Sequence, residues 1–220
     1  MRHEAMRREI IATCLSMNMR GINQGTSGNV SARVKEGFLI TPSGVSYGEM
    51  RSQDIVAMQL DGSHSGTRKP SSEWRFHRDI MAKKPEVGAV VHLHSMFCTS
   101  LSMLGREIPA VHYMIAAAGG SSIPCVPYVT WGTQELADLI LGALEDRHAC
   151  LLANHGMVCV GPSLERAAWL AVEVETLAAQ YWRALQVGKP RVLTAAEVAA
   201  AMEKFKTYGQ PPEKPRKRRS

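Results

Sequence analysis

The chain has 220 residues, 45% of them hydrophobic and 21% charged, a composition that fits a soluble globular protein with one substantial core or at most two small ones. Its formal charge of +6 would suit a polyanion-binding protein, but residues 210–220 (QPPEKPRKRRS) supply +4 of it and leave +2 to everything before them. Apolar runs such as 88–91 and 149–153 fall far short of the ~20 residues a membrane-spanning helix needs, so no membrane partner is expected. The opening MRHEAMRREIIATC mixes acid with base and lacks the apolar segment of a signal peptide. Five cysteines, scattered and never spaced as Cys-x-x-Cys, fit a reducing compartment, so a cytoplasmic enzyme is expected.

In chain order, Met6, Ile10, Cys14 and Met17 recur at helical spacing, predicting a helix over 4–20 that Gly21 stops. The Gly/Ser/Asn-rich GINQGTSGNVSARV is turn chemistry leading into a short strand. Strands are expected at 38–41, broken by Pro42-Ser43-Gly44, and at 55–60, ending in an Asp61-Gly62 hairpin turn. Pro70-Ser71-Ser72 predicts a serine-capped helix to about Lys84, followed by a buried strand over 87–94. Thr133 caps a helix whose Leu136, Leu139, Ile140 and Ala143 share one face. Residues 150–153 and 157–160 read as paired strands around Asn154-His155-Gly156. Ser163 starts the longest helix, to about Val187, and Thr194-x-x-Glu197 is a capping box for the last one. Irregular alternation with hairpin signals predicts one α/β domain with an at least partly antiparallel sheet, over residues 1–209, and a basic tail at 210–220.

Two clusters carry chemistry. In His92-Leu93-His94, residues two apart on a strand point to one face, so both imidazoles can reach one ion while Leu93 faces away. His155, in a tight turn at the end of another buried strand, is a candidate third ligand, and three protein ligands with an open position is a catalytic metal arrangement. With eight histidines in the chain, the pair could equally be incidental; His3, His64 and His148 are assigned no role. The second cluster is Ser71-Ser72-Glu73, at an expected helix N-terminus, with Gly28-Asn29 and Ser43-Gly44 as further turns whose N–H groups could cradle an anion. Each of these also reads as an ordinary cap or turn, and Glu73 as a complement to the helix dipole.

The stretches GNVSARV, ITPSG, KPSSEWRFH, AVVHLH, IPAVHYMIAAAGG, IPCVPY and NHG, taken together and in this order, resemble the class II aldolase/adducin family nearly end to end, as far as Lys204–Gly209. The resemblance implies an α/β fold, a single domain with a mixed or antiparallel central sheet flanked by helices. It implies one Zn2+ per subunit on Glu73, His92, His94 and His155, and a phosphate pocket at Gly28, Asn29, Ser43, Gly44, Ser71 and Ser72. It further implies Glu73 and Tyr113 as catalytic groups, Tyr113 coming from a neighbouring subunit of a homotetramer with its active sites at the interfaces. Trp131 and Tyr208 are expected at the aldehyde end of a sugar phosphate substrate. The implied reaction is reversible cleavage of a ketose 1-phosphate, of the L-fuculose 1-phosphate type, to dihydroxyacetone phosphate and a short aldehyde such as L-lactaldehyde.

Ser43 stands where the family commonly has threonine and keeps the hydroxyl, whereas Trp131 stands where a smaller phenylalanine is expected, so the substitution that bears on the substrate is at the aldehyde end. The same cleavage of 5-deoxyribulose or 5-methylthioribulose 1-phosphate is therefore an alternative. A metal-free, adducin-like interaction module is a second, but it predicts an eroded histidine set. Nucleic acid is not an expected partner: a Pro/Lys/Arg tail without aromatics gives only unspecific, salt-sensitive attraction.

Overall fold

The computed structural model describes residues 2–207, without the Lys206 side chain; Tyr208 and the 210–220 tail lie outside the described residues. Their central feature is an eight-stranded sheet in the order β4-β3-β2-β1-β5-β10-β9-β8. The strands are β1 (Asn29–Val34), β2 (Gly37–Ile40), β3 (Val56–Met58), β4 (His64–Ser65), β5 (Ala89–Leu93), β8 (Cys125–Val126), β9 (Ala149–Leu152) and β10 (Gly156–Gly161). Its pairs are antiparallel except β8–β9, which is parallel, and β6 (Ile108–Pro109) pairs with β7 (Ser122–Ile123) in a separate small ribbon.

Alternation along β5 and β10 divides the core. Ala89, Val91, Leu93, Met157 and Cys159 face α1 (Glu4–Met19), α3 (Met96–Ser102) and α5 (Leu164–Val187). Val90, Val158 and Val160 face α2 (Trp74–Lys83) and α4 (Gln134–Ala143), together with Phe38 and Phe76. β5 is buried at all five positions because helices cover both faces. Each fully buried Phe, Ile or Leu there contributes about 1.5–3 kcal/mol of transfer free energy. That burial holds the strand carrying His92 rigid.

The cap residues behave as their chemistry dictates. Thr133 Oγ1 accepts from Leu136 N–H and Ser163 Oγ from Arg166 N–H, while Thr194 and Glu197 form the capping box of α6 (Ala195–Lys206). One expected start is corrected. Helix α2 begins at Trp74 with Glu73 at its N-cap and no side-chain cap, instead of at Pro70–Ser72. Residues 70 and 71 are held extended by a bridge between Pro42 and Pro70 and by Ser71 N–H donating to Thr41 O, so the chain turns helical only afterwards. The expected 87–94 strand is likewise shorter, because Val87 N–H closes a turn onto Lys84 O and His94 lies beyond the last paired residue. Residues 95–126, without a clear period, form α3, the 3-10 turn Tyr113–Ala118 and the short strands β6 to β8.

Candidate active site

His92 sits fourth in β5, paired with Asn29 of β1 on one side and Val158 of β10 on the other. His94 follows on the same face, and Leu93 points into the opposite core. His155 is delivered by the β9–β10 turn, where Asn154 adopts φ +57°, a left-handed conformation that asparagine tolerates better than most residues. Two glycines permit the close approach of neighbouring chain to this strand end. A Cβ on Gly28 would fall 2.5 Å from His92 O, and one on Gly156 would fall 2.5 Å from Leu93 O and 2.9 Å from His94 Cδ2.

The three imidazoles converge, with one nitrogen from each lying within 4.8 Å of the others. His92 Nε2 is 3.1 Å from His94 Nε2 and 3.1 Å from Glu73 Oε2, and Glu73 Oε1 is 3.4 Å from His155 Nε2. Two ligand atoms on a tetrahedral zinc at ~2.0–2.1 Å stand about 3.3 Å apart, so these spacings are those of a common ligand shell. Two further observations fit a metal ion. Glu73 Oε1 is buried with no hydrogen-bond partner. His92 Nδ1 lies 2.9 Å from Met157 O, and donating there leaves the Nε2 lone pair facing the cluster. An N3O donor set, with His92 and Glu73 buried and His94 and His155 half-buried, suits a divalent transition metal.

The electrostatics of the cluster favour positive charge within it. Burial pushes the Glu73 carboxyl up, but His92, His155 and the Asn29 amide outweigh it and hold it well below the usual carboxylate range. Burial opposes charge on His92, yet the adjoining Glu73 carboxylate raises its pKa. Burial first, then His92, lowers His94 and His155 to about 4, so both are neutral ligands at neutral pH.

Of the expected phosphate residues, Gly28 and Asn29 adjoin this cluster, and Ser71 and Ser72 directly precede Glu73 in the chain. Asn29 Nδ2 donates to Glu73 Oε2 at 3.0 Å, and Thr41 N–H donates to Val30 O, which ties the 41–44 loop to β1. The 41–43 and 69–71 segments are laced by Ser43 N–H to Lys69 O and Ser71 N–H to Thr41 O. Those two N–H groups are therefore already engaged, which corrects the expectation of a backbone cradle at Ser43 and Ser71. Their side-chain hydroxyls remain as donors, although Ser71 Oγ also accepts from Glu73 N–H at 3.3 Å. Ser43, Gly44 and Ser72 are exposed.

Trp131 is 60% exposed, on a loop that Arg75 Nη1 grips through Gly132 O at 2.7 Å; Gly132 packs closely on Ser72 O. Tyr113 is placed elsewhere. It is 57% exposed, stacked with Phe205 of α6, and lines a groove with Trp169, Glu173 and Lys204 that does not include the histidines. Residues that sequence reasoning missed are His77, Ser31 and Glu175, all buried polar groups behind the site. His77 falls four residues after Glu73, hence on the same side of α2, and that spacing is the signal that could have found it.

Residues 8–182 match the Class II Aldolase and Adducin N-terminal domain. The chain is 53% identical over 205 residues to the 5-methylthioribulose-1-phosphate/5-deoxyribulose-1-phosphate aldolase of Rhodospirillum rubrum, covering 93% of each chain. It is 50% identical over 210 residues to the L-fuculose phosphate aldolase of Escherichia coli, covering 95% of this chain and 98% of that one. Among solved structures, an L-fuculose 1-phosphate aldolase superposes with a TM-score of 0.91 at 37% identity, covering 94% of this chain and 98% of the other. Aldolases are lyases, and with the family matched over most of its length the chain belongs to the class II aldolase and adducin family, with the mixed α/β fold expected of it.

Proposed function

We propose that the protein is a zinc-dependent aldolase that reversibly cleaves a ketose 1-phosphate, of the L-fuculose 1-phosphate type, to dihydroxyacetone phosphate and a short aldehyde. The observation that carries this reading is the convergence of His92, His94, His155 and Glu73 at ligand-shell spacing on the end of a buried strand. When bound there, zinc supplies a Lewis acid and a fixed positive charge against which the negative charge left by carbon–carbon cleavage is held.

The chain's own residues do the rest. Breaking the C3–C4 bond releases a proton from the C4 hydroxyl and requires one at C3. In this reading the phenolic oxygen of Tyr113 of a neighbouring copy passes the first on to solvent, and Glu73, freed when substrate binds and protonated from solvent, delivers the second through its carboxyl. Ser43, Ser71 and Ser72 hydroxyls, with Gly28, Asn29 and Gly44, hold the phosphate, so binding energy at that end orients the reacting carbons. The catalytic domain is residues 1–209 and the assembly a cytoplasmic homotetramer with sites at its interfaces.

A second reading keeps the chemistry and changes the aldehyde, to that of 5-deoxyribulose or 5-methylthioribulose 1-phosphate. It is favoured by the R. rubrum relative and by the exposed indole of Trp131, whose neighbour Gly132 packs on Ser72 and which suits a less hydroxylated end. Metal analysis is expected to find about one zinc per chain. A panel of ketose 1-phosphates, with dihydroxyacetone phosphate release followed by a coupled assay, separates the two sugars. Full activity after exhaustive chelation would overturn the zinc mechanism, and no release from any member would overturn the aldolase reading.

A further inference from the structure

Behind Glu73 runs a line of buried polar groups of which the proposed reaction uses only Asn29, at the phosphate end. Asn29 and Ser31 lie two apart on β1, so they share a face, and His77 reaches them from α2. Ser31 Oγ is 2.7 Å from His77 Nδ1, His77 Nε2 is in short contact with Asn29 Oδ1, and Asn29 Nδ2 donates to Glu73 Oε2 at 3.0 Å. Ser31 and His77 have no solvent exposure, and the imidazole stacks on Phe76 at 4.4 Å between centroids.

The chemistry of the last group fixes the directions as far as His77, and the neutral state of that ring fixes the rest. A carboxylate only accepts hydrogen bonds, so Asn29 must turn its NH2 toward Glu73 and its oxygen toward His77. That oxygen needs a donor, which makes His77 Nε2 the protonated nitrogen. Nδ1 then carries a lone pair, and the hydroxyl of Ser31 donates into it. A second ring proton would reverse the Ser31 hydrogen bond, the hydroxyl then accepting, but burial, followed by the nearby His92, keeps the ring neutral by pushing its pKa down to about 3.

We infer that Ser31, His77 and Asn29 form a one-way hydrogen-bond relay that holds the Glu73 carboxylate in place, with His77 as a positioning residue locked in its Nε2–H tautomer. The inference rests on the reading of Glu73 as the carboxylate that alternates between metal and substrate. A carboxylate that must leave a metal and return needs a fixed point of attachment, and Asn29 supplies one only while its amide cannot flip. Partners of this kind behind metal ligands typically cost 10–100-fold in metal affinity or activity when removed.

The test uses the full chain. Histidine 15N NMR of the metal-depleted and zinc-loaded protein is expected to show His77 protonated at Nε2 and bare at Nδ1 in both forms. His77→Phe, which fills the slot but donates nothing, is expected to lower kcat and zinc affinity (by chelator competition) about 10–100-fold with KM little changed. His77→Gln, which can again donate to Asn29, is expected to recover most of the loss. Ser31→Ala leaves the Asn29 contact intact and is expected to keep the ring protonated at Nε2 alone; it serves should His77→Phe fail to fold. A wild-type ring protonated at Nδ1 overturns the relay, as does His77→Phe with unchanged kcat and zinc affinity, or Ser31→Ala with its ring protonated at Nδ1. Full turnover by Glu73→Gln would sink the reading of Glu73 itself, and the His77 tautomer is measured independently of it.

Discussion

Glu73 is asked to do three things at once: complete a ligand set, accept from Asn29, and carry a proton to carbon. The first two need only an oxygen lone pair, which a glutamine also has, whereas the third needs an ionisable group. Glu73→Gln is therefore expected to keep the fold, retain most of its metal, and lose about 10²–10⁴ in kcat. The coupled release assay reads the loss, with metal analysis and thermal midpoint on the same preparation. Near-normal turnover would remove Glu73 from proton transfer. The histidine pair was readable because strand alternation puts positions 92 and 94 on one face, and His155 because a turn separates two buried strands. Glu73 was not readable from spacing. It sits at a helix boundary, where a carboxylate ordinarily complements the dipole, and only the long-range pairing of Asn29 with His92 brings it to the histidines. His77 and Ser31 were hidden for the same reason, as polar residues that a periodicity argument assigns to no face.

At the scale of elements, α3 begins directly after His94, and one distant carboxylate pins its start. Glu175, buried on α5, accepts from Ser95 Oγ at 2.6 Å and from the N–H groups of Phe97 and Cys98, each at 2.9 Å. It thus supplies the anion that the N-terminus of this short helix would otherwise take from water or its own cap. Glu175→Gln keeps the size but replaces one oxygen by a donor facing donors, so a buried N–H or hydroxyl loses its partner. The expected cost is about 1–3 kcal/mol of stability, read as a lower urea midpoint. Zinc affinity should fall as well, because the same anchor fixes the backbone leaving His94. A variant with wild-type midpoint and wild-type zinc affinity would mean that α3 holds its own start. Most helices were visible in the sequence through caps and apolar stripes, and Thr133, Ser163 and Thr194 each mark their true starts. The start of α2 misled because the serines at 71 and 72 look like caps, while a non-local bridge to residue 42 holds that segment extended. No pattern within ten residues carries such information.

For the whole molecule, Tyr113 is the group that a single chain leaves over. It is exposed, stacked on α6, and lines a groove apart from the histidine cluster. If a neighbouring copy supplies it, each site is built from two chains, and the two halves can be inactivated on different subunits. Chains carrying Glu73→Gln keep a good Tyr113, and chains carrying Tyr113→Phe keep a good Glu73. Neither homo-oligomer contains an intact site. In a cyclic assembly formed at random from equal amounts of both, a site is intact when a Tyr113→Phe chain meets a Glu73→Gln neighbour in the correct order, which is roughly one site in four. Co-expression of the two variants is therefore expected to restore about a quarter of wild-type specific activity, well above either parent. If one chain provided both groups, every site in the mixture would carry a lesion, and the activity would stay at the mean of the two parents. The number of intact sites depends on the order of subunits around the ring and not on how well each chain folds, so the outcome reports on where Tyr113 acts.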